Sequence, residues 1–87
     1  MDVHDTVDLG EGHLIEFGQA TWDAAQTSVR NRYPTSTGGF SPRSSSEIPI
    51  TDIVPVAVET LRRDLLDIQQ TMQILQAAVH SLHRRLQ

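Results

Sequence analysis

The chain has 87 residues, a net charge of −4 and no cysteine. This length allows at most one small domain, and the lack of cysteine excludes disulfides and thiolate metal sites. So short a chain usually needs disulfides, a bound metal or oligomerisation to be stable. We therefore expect self-association to stabilise it. So small an apolar core does not enclose a catalytic pocket, and the chain is interpreted as non-enzymatic.

Residues 1–33 are predicted to form an acidic N-terminal docking arm. The first 29 residues carry six acidic side chains and no Arg or Lys. Gly10 and Gly12 interrupt local structure, and residues 13–17 make at most one isolated strand, which is unstable in water. The arm is therefore expected to be extended and poorly structured by itself.

A short helix is predicted within this arm, over about residues 21–32. Thr21 is a good N-cap, and apolar side chains follow it at helical spacing. Those side chains are Trp22, Ala25, Val29 and Tyr33. A helix this short is marginal alone, so we expect it to dock on a larger partner or on the protein's own coiled coil, or to stay disordered until bound. The predicted docking residues are Leu14, Ile15, Phe17, Trp22, Val29 and Tyr33.

Residues 34–50 are predicted to form a linker or strap rich in Pro, Gly, Ser and Thr. The contacts that such a segment makes by itself do not offset the conformational entropy that it loses on ordering. Ser41, followed by Pro42 and Arg43, is a candidate phosphorylation site, although this pattern is common by chance.

Residues 51–87 are predicted to form a coiled-coil oligomerisation helix, beginning near residue 52. Apolar residues occupy every a and d position of a heptad repeat, which is typical of a helix buried against other helices. These seam residues are Val54, Val58, Leu61, Leu65, Ile68, Met72, Leu75, Val79, Leu82 and Leu86. The predicted fold class is therefore mostly α, with this long helix in a homo-oligomeric bundle.

The seam favours a trimer or higher bundle over a dimer. No buried polar residue interrupts it, and the flanking positions are mostly neutral, so charge does little to choose a partner. Pairing with the helix of an unrelated chain fits the same pattern, so a hetero-coiled coil stays open.

Other chemistries have weak support in the sequence. His80 and His83 are three residues apart, whereas metal-binding pairs on helices are more often four apart with a third ligand nearby. We expect no metal, cofactor or membrane partner, and the weak basic patches do not favour nucleic-acid binding. The first residues lack a secretion signal, so a soluble intracellular location, or incorporation into a virion or another large particle, is expected.

The combination of arm, strap and coiled coil resembles small accessory proteins of large assemblies, such as viral capsid cement proteins. This resemblance is architectural and shares no motif. It implies a structural protein that self-associates through its C-terminal helix and attaches by its arm to a larger complex, as a minor capsid protein does. The alternative is a small regulatory adaptor whose disordered acidic arm folds on binding.

Overall fold

The computed structural model describes residues 1–34 and 46–87. The chain divides into two compact units, Met1–Ile53 and Val54–Gln87. The first holds a four-stranded antiparallel sheet and the second consists of helices, so the prediction of a mostly α coiled-coil fold is wrong. The elements in chain order are β1 (Asp2–Gly10), β2 (His13–Gln19), β3 (Thr27–Arg32), β4 (Ser46–Pro49), a 3₁₀ turn (Ile50–Asp52), α1 (Ile53–Arg62) and α2 (Ile68–Arg85).

The sheet is a simple meander in which each strand pairs with the next along the chain. Its first hairpin closes through the two-residue turn Glu11-Gly12, because Gly10 pairs with His13. Both turn residues have positive φ, 55° for Glu11 and 80° for Gly12. This sign pattern is that of a type I′ turn, whose twist matches the twist of the flanking strands.

The register gives the sheet one apolar and one polar face. Phe17 pairs with Val29, and Val29 pairs with Ile48, so these three side chains lie on one face. On the opposite face, Arg30 pairs with both Glu16 and Glu47. Alternate residues of each strand therefore separate the hydrophobic side chains from the ion-pairing ones.

The poorly structured arm and its short helix are wrong predictions. At Asp23 the chain makes a turn: the Asp23 carbonyl accepts from the Gln26 N–H at 3.0 Å, and its carboxylate accepts from the Ala25 N–H at 2.9 Å. Residues 27–32 then extend as β3, paired with strands on both sides. The hydrogen bonds that a central strand makes to both neighbours stabilise this segment more than an amphipathic helix would, although its apolar spacing also fits a helix.

Part of the predicted linker belongs to the sheet. Ser46–Pro49 forms β4 and pairs with β3. Ser41, the candidate phosphorylation site, lies outside the described residues.

The single helix predicted over residues 52–87 is also wrong, because the chain turns between α1 and α2. Asp64 adopts a left-handed conformation with φ of 53°. The Leu65 N–H donates to the Thr60 carbonyl at 3.2 Å, and the Asp64 N–H donates to the Leu61 carbonyl at 3.1 Å. These two bonds form a Schellman motif, which ends α1.

Candidate functional site

The polar face of the sheet is built around one buried carboxylate. The Glu16 side chain is only 5% exposed. Its Oε1 accepts from Arg30 Nε at 2.9 Å and lies 2.8 Å from Arg30 Nη2, while its Oε2 accepts from Arg32 Nη1 at 3.3 Å. A buried charge is costly unless it is paired and hydrogen-bonded, and both conditions are met here. The cluster ties β2 to β3 on the polar face of the sheet.

A second carboxylate, that of Glu47, ties β4 to the start of the β2–β3 connection. Its Oε2 accepts from the Thr21 hydroxyl at 2.7 Å, and its Oε1 accepts from the Ser28 hydroxyl at 2.8 Å and the Thr21 N–H at 3.1 Å. Burial by itself would raise the pKa of Glu47. The two hydroxyl bonds, the Thr21 backbone bond and the N-terminal ammonium together outweigh burial and hold this pKa below its ordinary value.

The apolar face carries an open groove of about 430 Å³. Hydrophobic side chains from three strands, the 3₁₀ turn and the first residue of α1 line it, with Asn31 and Ser46 as its polar residues. The apolar lining residues are Ile15, Phe17, Val29, Ile48, Ile50 and Ile53. Val29 is buried, whereas Phe17 and Ile48 remain half-buried. A sheet with one apolar face is usually covered by a second layer, so this groove is a candidate interaction surface.

An aromatic pair lies beside this groove. The rings of His13 and Tyr33 stack with centroids 4.3 Å apart and an interplanar angle of 12°. Asn31 joins them, because it hydrogen-bonds to the His13 ring through Oδ1 and donates from Nδ2 to the Tyr33 hydroxyl at 3.2 Å. The Tyr33 side chain is therefore fixed by its neighbours.

The structure brings together half of the predicted docking residues. Ile15, Phe17 and Val29 share the apolar face. Leu14 alternates with them along β2 and belongs to the opposite face, where it pairs with Arg32. Trp22 lies in the β2–β3 connection, is 48% exposed and donates from Nε1 to Gln26 Oε1 at 3.0 Å.

Sequence reasoning missed Ile48, Ile50 and Ile53, which complete the groove. The alternation through Glu47-Ile48-Pro49-Ile50 was the available signal for a strand. The preceding stretch, which is rich in Pro, Gly and Ser, masks this signal.

The apolar seam of α2 is the second candidate interaction surface. Six of the predicted seam residues lie along this helix and its C-cap, and their exposed fractions run from 50% to 81%. They are Ile68, Met72, Leu75, Val79, Leu82 and Leu86. Neither α1 nor α2 has a buried residue. The α2 seam therefore has no cover within the described part of the chain.

The other predicted seam residues lie outside α2. Val54, Val58 and Leu61 are in α1, and Leu65 is in the turn between the helices, 69% exposed. Because this turn interrupts the helix, these four residues do not continue the α2 seam along one helical face.

Two further observations concern metals and membranes. Across residues 1–34 and 46–87, no group of three His, Asp or Glu side chains is placed to hold a metal ion. Neither helix of this part of the chain is long and apolar enough to cross a membrane.

No family model, curated protein or solved structure matches this chain.

Proposed function

We propose that this chain is a non-catalytic assembly protein, which self-associates through α2 and binds a larger complex through the apolar face of its sheet. The observation that carries the proposal is the α2 seam, an uninterrupted row of exposed apolar side chains on a helix with no buried residue. Isolated helices of this size are marginal in water, and burial of an amphipathic face usually stabilises them.

The energetics favour burial of the seam against another helix. Full burial of a Leu, Ile, Val or Met side chain contributes about 1.5–3 kcal/mol. The six seam residues of each copy are at least half exposed, so each contributes part of this amount on burial, against an association cost estimated at about 4–15 kcal/mol. A second copy of the chain is the partner always present, so self-association is the proposed use of this surface.

The groove on the sheet supports the second half of the proposal. The groove is lined by Ile15, Phe17 and Val29, and these three residues are among those we propose for docking. Oligomerisation through α2 would present several copies of this groove together, which raises the overall avidity of weak contacts.

Two interpretations of the sequence, the capsid cement protein and the regulatory adaptor, assumed an architecture that differs from the observed fold. The resemblance to capsid cement proteins depended on an extended arm and one unbroken helix. The regulatory adaptor depended on a disordered acidic arm. Since Asp2–Gly10 and His13–Gln19 pair as strands, the proposal is restricted to an assembly protein.

Sedimentation equilibrium of the full chain tests the proposal. We expect a discrete oligomer at tens of micromolar, which Leu75→Arg converts to monomer because it places a charge in the seam. Gln73→Arg is the matched control, because it adds the same side chain at an exposed position of α2 outside the seam. A monomeric wild-type chain would overturn self-association through α2, and a hetero-coiled coil would then be the alternative to test.

A further inference from the structure

The charges of α2 are confined to its two ends. The helix contains no acidic residue, and its last turn holds His83, Arg84 and Arg85. The Asp67 carboxylate caps its first turn, where it accepts from the Gln70 N–H. Between these ends, α2 contains no Asp, Glu, Lys or Arg. Each α2 therefore has a negative start and a positive end.

We propose that α2 packs against α2 of a second copy in the antiparallel orientation. This inference rests on the proposed self-association and adds the direction of the partner helix. Antiparallel packing brings the Asp67 end of one helix to the Arg84 and Arg85 end of the other. Opposite charges then meet at both ends of the pair, and the two helix dipoles oppose each other.

The spacing of the seam allows this orientation over its full length. With a two-fold axis at Ala77, positions equidistant from residue 77 face each other across the pair. Leu75 then meets Val79 of the second copy, Met72 meets Leu82, and Ile68 meets Leu86. All six exposed seam residues obtain an apolar partner, and none is left over.

Parallel packing fills the same seam with less favourable electrostatics. It places two copies of Arg84 and Arg85 at one end, beside two copies of His83. The two dipoles also align, so both positive ends and both negative ends coincide. Since the flanking side chains of α2 are mostly neutral Gln, Thr and Ala, nothing else along the helix compensates this repulsion.

Antiparallel packing has a consequence for assembly. An 18-residue helix is about 27 Å long, so the two points at which the chains enter α2 lie at opposite ends of the pair. The number of copies would be even, as a dimer or a dimer of dimers.

Distances between spin labels on the full chain test the orientation. The chain has no cysteine, so Ala77→Cys and Gln87→Cys each provide one label site, and both lie outside the seam. In the antiparallel pair, residue 87 aligns with residue 67 of the second copy. The two labels at 87 are then offset by about 30 Å along the axis, while the two labels at 77 have no offset. We expect the distance at 87 to exceed the distance at 77 clearly.

The possible results separate this inference from the proposed function. Similar distances at both sites would mean parallel helices and would overturn the orientation while leaving self-association intact. A mixture of short and long distances at residue 87 would also overturn it. Loss of all dipolar coupling, together with a monomer in sedimentation, would overturn the proposed function itself. Leu75→Arg in each labelled chain is the control, because it should abolish the coupling at both sites.

Discussion

Asp67 and Gln70 cap each other at the start of α2. The Asp67 carboxylate accepts from the Gln70 N–H at 2.8 Å, and the Gln70 side-chain oxygen accepts from the Asp67 N–H at 3.1 Å. This capping box satisfies two backbone donors that a helix start would otherwise leave without a partner. Together with the left-handed Asp64, it fixes the position at which α2 begins.

Asp67→Ala should weaken the start of α2. The substitution removes the side-chain acceptor for the Gln70 N–H, and loss of an N-cap costs about 0.5–2 kcal/mol. We expect lower helicity by circular dichroism and a lower thermal midpoint for the helical transition. Asp67→Asn should retain most of the stability, because Asn is an equally good cap. Equal losses in the two variants would contradict the capping argument.

The heptad pattern explains why the sequence predicted one helix where there are two. Leu65 and Ile68 keep the apolar spacing across the turn, so periodicity alone carries no sign of the break. The readable signal was the pair Asp67 and Gln70, an N-cap residue followed three positions later by Gln. The end of α1 was harder to read, because Asp64 occupies a left-handed position that Gly usually takes.

The sheet was missed for two physical reasons. The turn Glu11-Gly12 lacks the Asn or Asp that usually marks a type I′ hairpin, and irregularities near Val3 and Asp8 disturb the alternation of β1. Each strand is also stable only through its neighbours, so no single segment shows the fold by itself. Ile15, Phe17 and Val29 could be selected from the sequence as apolar docking residues, but their shared face depends on register.

Gly18→Ala should displace β1 from the sheet. A Cβ atom at Gly18 would lie 1.9 Å from the Asp2 carbonyl oxygen, a backbone atom that cannot move without shifting the strand. Overpacking of this kind costs about 1–3 kcal/mol. We expect a lower free energy of unfolding and faster amide exchange in β1. Gln19→Ala, at the next position of β2, is the control, and equal behaviour of the two variants would contradict the close approach.

Glu47 should make the stability of the sheet dependent on acid pH. Its folded-state pKa lies below the ordinary value, so its contribution is complete above the unfolded-state pKa of about 4.3 and is lost as the pH falls through the folded-state value. Unfolding free energies of the wild type and Glu47→Gln, measured from pH 3 to pH 7, check this. The difference in unfolding free energy between the wild type and Glu47→Gln should be largest at neutral pH and should shrink in acid. A difference that stays constant across this pH range would show that ionisation of Glu47 does not contribute to stability.

Glu16 and Glu59 offer a comparison between a buried and an exposed carboxylate, each facing two arginines. Glu16 is buried on the sheet, whereas the Glu59 side chain, which pairs with Arg62 and Arg63, is 47% exposed. Removing one partner of a buried pair costs about 3–5 kcal/mol, while an exposed pair contributes about 0–1 kcal/mol.

Glu16→Ala should therefore unfold the sheet at much lower urea than the wild type, whereas Glu59→Ala should hardly change the helical transition. Urea titrations followed by circular dichroism, with Trp22 fluorescence as the probe of the sheet, measure both. Comparable small effects would mean that the Glu16 cluster is only as stabilising as a surface ion pair. The polar face would then depend mainly on its backbone ladder and on the hydroxyl bonds to Glu47.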